Sequence, residues 1–301
     1  MNRREFLAGT VAAVGLAGCK SAGSSSGREG GSILFGACRG PDDVKLMASA
    51  GYDFWEWNVG AAFDPDKGDE WWKAQRDKIA AMPLPLRSCN GFIPGKFRLT
   101  GPKADHGPAL DYAERALRRA EEAGVKAVVF GSGGARNVPG DLTIAGVPGP
   151  DVEKGVRQYT DFCRELCRRV ADLKTVLVVI EPLRPNESNI VNYIWQGVQI
   201  CEDVASPRLA VLADFFHMMM GRESAESIVK AGPLVRHCHV ASYETRRFPG
   251  SDPQTVDRLR PYLAALRSIG YAGGVSCECG WGEAKEFGKN LEIALKTLHS
   301  L

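Results

Sequence analysis

Acidic and imidazole side chains stand at the ends of four successive apolar runs in the second half of this 301-residue chain. The run Thr175-Val176-Leu177-Val178-Val179-Ile180 ends in Glu181, and Pro182 then stops the strand. Leu209 to Ala213 leads into Asp214-Phe215-Phe216-His217, Val235 to Ala241 carries His237-Cys238-His239, and Gly274 to Cys279 carries Glu278. Successive residues of a strand face opposite ways. Glu278 therefore opposes Cys277 and Cys279, and both histidines oppose Cys238. With the cysteines packed outward, the acids and imidazoles look inward at one rim. Carboxylate oxygens mixed with imidazole suit Mn²⁺, Co²⁺, Mg²⁺ or Zn²⁺. Two carboxylates flanking a substrate beside such a cation could take a proton from the carbon next to a carbonyl on one face and return one on the other. Each acid alone has a plainer reading, a buried glutamate held by an arginine; three acids and a histidine pair spread over four consecutive strands favour a site.

Eight alternations of strand and helix are available to position these groups. The strands are Ser32 to Cys38, Tyr52 to Asn58, Leu84 to Cys89, Ala127 to Phe130, Thr175 to Ile180, Leu209 to Ala213, Val235 to Ala241 and Gly274 to Cys279. Helices follow at Pro41 to Ala50, Glu70 to Ala81, Pro108 to Ala123, Asp151 to Leu173, Ile190 to Val204, Ser224 to Ala231, Pro253 to Ile269 and Ala284 to Leu298. Leu110, Ala113, Ala116, Leu117 and Ala120 show the helical spacing most clearly. The pattern predicts an α/β protein, a single-domain (β/α)8 TIM barrel, whose reaction chamber lies at the C-terminal strand ends. A doubly wound open sheet is the alternative, but no Gly-rich dinucleotide turn is present.

The N-terminus reads differently. Arg3-Arg4 precedes a short apolar stretch, Phe6 to Leu16, which ends in Leu16-Ala17-Gly18-Cys19. This resembles a twin-arginine export signal (residues 1–18) joined to a lipoprotein box, with cleavage before Cys19 and lipid on its thiol. The stretch is too short to span a bilayer. Residues 19–31, rich in Ser and Gly, form a flexible tether, and residues 32–301 form the barrel. The location implied is the periplasmic side of the cell envelope, with the membrane touched only through the lipid. Loss of residues 1–18 removes two arginines and one glutamate, so the net charge falls from +2 to +1. No strong field favours nucleic acid. The eight other cysteines lie mostly in apolar runs and read as buried thiols, Cys163 and Cys167 at core spacing on one helix.

The chain resembles the xylose-isomerase-like barrel superfamily of sugar isomerases and epimerases, and within it the ketose 3-epimerases. The likeness rests on Glu181-Pro182-Leu183 with Glu187-Ser188-Asn189, on Asp214-Phe215-Phe216-His217-Met218, on His239-Val240-Ala241 with Thr245-Arg246-Arg247-Phe248-Pro249-Gly250, and on Gly270-Tyr271-Ala272-Gly273 with Glu278. Phe35-Gly36-Ala37-Cys38 and Asn90-Gly91-Phe92-Ile93-Pro94 match more loosely. The resemblance implies one divalent metal, Mn²⁺ first, on Glu181, Asp214, His239 and Glu278. It makes Glu181 and Glu278 the acid–base pair and gives Glu187, His217 and Arg246 contacts to substrate oxygens. The segment after His239 is one residue longer than the epimerase pattern and lacks its acidic residue, so Arg247 competes with Arg246.

The implied activity is a metal-dependent sugar epimerase or isomerase working through an enediolate, with a small sugar as partner and room for a homo-oligomer. The same site could eliminate a leaving group, as a lyase or dehydratase of a keto-sugar, inosose or 3-keto-glycoside. A non-catalytic sugar-binding lipoprotein is a second alternative, which the two glutamates disfavour. A barrel endonuclease ranks last, because it needs more histidines than the five present and a basic face. Gly131-Ser132-Gly133-Gly134 reads as a tight turn rather than an anion nest. Trp55 and Trp57 share one strand face, with core packing the default and a sugar contact the alternative. Met218-Met219-Met220 reads as space filling.

Overall fold

In the computed structural model, which describes residues 32–139 and 150–301, eight parallel strands close into one barrel in sequence order. The strands are β1 (Leu34–Cys38), β2 (Phe54–Asn58), β3 (Leu86–Asn90), β4 (Ala127–Phe130), β5 (Leu177–Ile180), β6 (Leu209–Asp214), β7 (Val235–Val240) and β8 (Gly274–Cys277). Helices fill the connections: α1 (Val44–Ala50), α2 (Val59–Phe63), α3 (Asp69–Ala80), α4 (His106–Glu122), α5 (Gly133–Arg136), α6 (Pro150–Arg169), α7 (Ile194–Val204), α8 (Phe215–Met220), α9 (Glu226–Ala231), α10 (Pro253–Ser268) and α11 (Phe287–Ser300). Closure is made by β1 on β8, in register from Leu34 opposite Gly274 to Ala37 opposite Cys277. The (β/α)8 architecture is thus the expected one, and the open sheet is excluded. The export signal, Cys19 and the tether lie outside the described residues.

Strand alternation sorts the chain into two cores. Outward side chains such as Cys89, Val128, Val178, Val211, Cys238 and Cys277 pack under the helices. Inside the barrel, Ala127, Val129, Val179, Ala210 and Leu212 form a separate apolar cluster against β4, β5 and β6. The opposite half of the interior is polar: Glu56, Ser88, His237, His239 and Ser276 are all buried there. The buried Phe54 ring packs against Gly36 and Gly274, 6.2 Å from the His237 ring. A Cβ on Gly36 would meet the Phe54 ring at 2.3 Å, so glycine is what lets the ring fit.

Local chemistry sets the helix starts. Asp105 accepts from the Gly107 N–H ahead of α4, and α4 buries the expected stripe of Leu110, Ala113, Ala116, Leu117 and Ala120. Asp252 accepts from the Thr255 N–H, and Pro253 occupies the first position of α10. The helix expected from Ile190 begins only at Ile194. Residues 183–191 instead fold back over the end of β5, where the Leu183 N–H donates to the Val191 carbonyl and Val191 adopts φ 55°. Three short helices at strand ends, α2, α5 and α8, were not legible in the periodicity.

Trp55 and Trp57 stack on each other at 5.4 Å and pack toward the outer core, not the barrel mouth. Met218 and Met219 are buried in that core, as are Cys163 and Cys167. The eight cysteines from Cys38 to Cys279 are all free thiols. Among the described residues no helix is long and apolar enough to cross a membrane.

Candidate functional site

Glu181 follows directly on β5, so its side chain continues the inward series of Leu177 and Val179. Its backbone is pinned from two sides: its N–H donates to the Phe130 carbonyl at 3.3 Å, and its carbonyl accepts from Arg136 Nη2 at 2.9 Å. Arg136 is fully buried and also donates to the Phe130 and Val191 carbonyls and to Ser188 Oγ. A buried guanidinium is costly unless its donors are satisfied, and here it ties the loops after β4 and β5 together. Gly131 leaves room for the carboxylate, since a Cβ there would lie 2.2 Å from Glu181 Oε2.

The other groups arrive in the same way. Asp214 is the last residue of β6 and caps α8, with Oδ1 accepting from the His217 N–H at 3.1 Å. Its Oδ2 is left for the barrel mouth, 4.0 Å from His239 Nδ1. That same nitrogen stands 3.3 Å from Glu181 Oε1 and 3.6 Å from Glu278 Oε2. Glu278 follows β8, accepting at Oε1 from Asn90 Nδ2 (3.0 Å) and at Oε2 from Arg246 Nη2 (2.6 Å). One donor atom each from Glu181, Asp214, His239 and Glu278 lies within 4.8 Å of the others. Three carboxylates converging with one imidazole repel one another unless a cation joins them, and three oxygens with one nitrogen are a fitting donor set for a divalent ion.

His217 sits beside this quartet. The Arg184 N–H donates to Nδ1 at 3.4 Å, which leaves the ring hydrogen on Nε2. Nε2 is buried without a hydrogen-bond partner among the described residues, 3.7 Å from Asp214 and 3.9 Å from both Glu181 and Glu187. It is a donor aimed into the site. Glu187 Oε1 accepts from Arg184 Nε at 2.7 Å and Arg246 Nη1 at 3.2 Å, and both guanidinium groups lie 5.0 Å from the Phe216 ring centre. Arg246, at φ 50°, thus reaches the site, whereas Arg247 packs against Phe248.

The electrostatics divide the two glutamates. Burial raises the Glu181 carboxyl above its usual range, opposed by the hydrogen bond to His239 and reinforced by Glu278. Burial acts upward on Glu278 too, but His239 and Arg246 outweigh it and hold that carboxyl down at about 2. Burial alone would lower His239; the Glu56 and Glu278 carboxylates outweigh it and lift the imidazole well above its ordinary value. A divalent cation, bringing its own positive charge, would displace the Nδ1 proton on binding.

His237 faces inward as expected but does not join the quartet. It lies one layer deeper, with Nε2 2.8 Å from Glu56 Oε2. Glu56, Ser88, Asn90, Arg136 and Arg184 all support the site, and of these Glu56 and Ser88 escaped sequence reasoning. For Glu56 a signal existed: in Trp55-Glu56-Trp57, two outward aromatics force the acid between them inward.

The fold and the carboxylate–imidazole rim define the class: the chain belongs to the xylose isomerase-like TIM barrel family, whose model matches residues 44–298. Among individual proteins it is similar to the D-psicose 3-epimerase of Agrobacterium fabrum, 30% identical over 126 residues, which are 42% of this chain and 39% of that one. The chain spans less than half the length of the curated relatives it matches. The fold is similar to a D-psicose 3-epimerase from Clostridium cellulolyticum H10 solved with D-tagatose (TM-score 0.73, 18% identity, 89% of this chain and 99% of that one). It is also similar to a 3-keto-D-glucoside 4-epimerase from E. coli (TM-score 0.70, 18% identity, 88% and 100%).

Proposed function

We propose that this protein is an epimerase of a ketose or keto-glycoside, working by proton abstraction next to a carbonyl. The observation that carries the reading is the convergence of Glu181 and Glu278 on His239 Nδ1, at 3.3 and 3.6 Å, from strand ends three apart around the barrel. Likeness to ketose 3-epimerases and to a 3-keto-glucoside epimerase supports the substrate class. Glu181, Asp214, His239 and Glu278 would hold a divalent cation, Mn²⁺ first among ions of that preference. When bound, such an ion supplies Lewis-acid polarisation of the substrate's carbonyl and neighbouring hydroxyl.

The chain's own residues do the rest. Of Glu181 and Glu278, the one in its carboxylate form removes the proton from one face of the carbon, and the other, carrying a proton, delivers one to the opposite face; the reverse reaction exchanges their roles. Asn90 and Arg246 fix the Glu278 carboxylate, so it meets the substrate in one orientation. The His217 Nε2–H donates to a substrate oxygen as negative charge grows there. Glu187 and Arg246 orient the remaining hydroxyls. We further propose that the protein is exported by the twin-arginine route and anchored through Cys19. An envelope address suits free ketoses and keto-glycosides better than phosphorylated sugars. The test is turnover of a panel of ketoses, inososes and 3-keto-glycosides in D₂O followed by NMR. Deuterium at one inverted carbon supports the epimerase, whereas an unsaturated keto product would establish the lyase in its place.

A further inference from the structure

Beneath the rim, Glu56 is fully buried at the inward position of β2, and among the described residues no arginine or lysine pairs with its carboxylate. Three donors fill its oxygens instead. Oε1 lies 2.9 Å from His239 Nε2, while Oε2 lies 2.8 Å from His237 Nε2 and accepts from Ser88 Oγ at 2.6 Å. The four side chains come from β2, β3 and β7, and the two imidazole rings meet edge to face at 5.3 Å. Glu56, Ser88 and His237 are buried below the rim, so none of these three is explained by contact with substrate.

The consequence lies on the other edge of His239. A neutral imidazole carries one hydrogen, on either nitrogen. With the hydrogen on Nδ1, that nitrogen donates to Glu181 and cannot bind a cation. With the hydrogen on Nε2, the Nδ1 lone pair faces Glu181, Asp214 and Glu278. Only a buried acceptor at Nε2 selects the second form, and Glu56 is that acceptor. The carboxylate is itself locked by His237 and Ser88, so the ring plane of His239 is fixed along with its hydrogen. Among the described residues Cys38 also stands near Glu56 and His239, with its Sγ 3.4 Å from Ser276 Oγ.

We propose that Glu56, clamped by His237 and Ser88, is a positioning residue that sets His239 as an Nδ1 ligand and so determines the cation affinity of the rim. The inference rests on the metal reading above and adds to it a residue that touches neither cation nor substrate. Carboxylate partners of this kind typically govern 10- to 100-fold of metal affinity.

The test is Mn²⁺ titration by calorimetry and by electron paramagnetic resonance. It compares the stripped wild-type protein with Glu56→Gln and Ser88→Ala, and circular dichroism confirms the fold of each. Glu56→Gln keeps size and shape but turns an amide N–H toward one histidine, so Mn²⁺ affinity should fall about 10- to 100-fold. Ser88→Ala leaves the carboxylate but frees its orientation; it is also the variant least prone to misfold, and it should weaken Mn²⁺ by several-fold. Wild-type affinity in both variants, with wild-type binding intact, would overturn the role of Glu56 and spare the metal site. A lower melting temperature with unchanged affinity would make the layer merely structural and equally overturn the proposal. Failure of the wild-type protein itself to bind Mn²⁺, Co²⁺, Mg²⁺ or Zn²⁺ would overturn the metal reading and this inference together.

Discussion

Replacing Gly131 with alanine adds one methyl group, and the structure says where it goes. The new Cβ would lie 2.2 Å from Glu181 Oε2, 3.3 Å from Glu181 Cδ and 3.5 Å from Leu183 Cδ2. Gly131 is not among the residues with positive φ, so the backbone itself accepts alanine. The clash is confined to the carboxylate, which must recede by about 1 Å to reach ordinary contact. It does not do so freely, because the carboxylate is buried and engaged with His239 Nδ1 at 3.3 Å. Overpacking of this kind costs roughly 1–3 kcal/mol, an amount that a barrel of this size survives folded. A 1 Å misplacement of a reacting group costs on the order of 10²-fold in rate. Gly131→Ala should therefore melt a few degrees lower, keep its circular dichroism spectrum, and lose about 10²-fold in kcat/KM on the best substrate of the panel. Full activity in a folded Gly131→Ala protein would refute the placement of Glu181 at the reacting carbon.

Two further outcomes follow from separate features. Glu121, at the end of α4, accepts hydrogen bonds from the Lys174, Thr175 and Val176 N–H groups and the Thr175 hydroxyl, where the chain enters β5. Slight burial pulls its carboxyl up, and these bonds outweigh it and set it below its usual 4.5. A depressed carboxyl stabilises the fold above its unfolded value and loses that contribution as pH falls through the folded one. Urea unfolding should thus show Glu121→Gln weaker by on the order of 1 kcal/mol at pH 7, with the gap closing below about pH 4; a gap independent of pH would contradict it. At the N-terminus, mass spectrometry of membrane-extracted protein should find Cys19 first and lipidated; an intact Met1 or an unmodified Cys19 would contradict the export reading.

Much of the barrel was legible because parallel strands are buried on both faces and so read as apolar runs. The quartet was legible for a related reason: Glu181, Asp214, His239 and Glu278 each end or follow such a run, where polarity is unexpected. What escaped was non-local. Glu56 was hidden between two tryptophans that draw attention as sugar platforms yet turn outward. Arg136 was in view in a glycine-rich loop, but not its four acceptors, which come from β4, from the stretch after β5 and from a serine 52 residues away. The loop over β5 delays α7 by four residues because Val191 takes a left-handed conformation that no periodicity announces. The choice between Arg246 and Arg247 was open in the sequence, since adjacent residues in an irregular loop have no fixed face.

Proton abstraction by Glu181 and Glu278 is the central claim, and exchange with solvent tests it most directly. Wild-type protein loaded with Mn²⁺ and run in D₂O on the substrate panel should place one deuterium at one inverted carbon. Glu181→Gln and Glu278→Gln should each slow that incorporation by at least 10²- to 10⁴-fold. Turnover of a sugar with its own hydrogen retained, without solvent exchange or elimination, would contradict the account even with a cation on the rim.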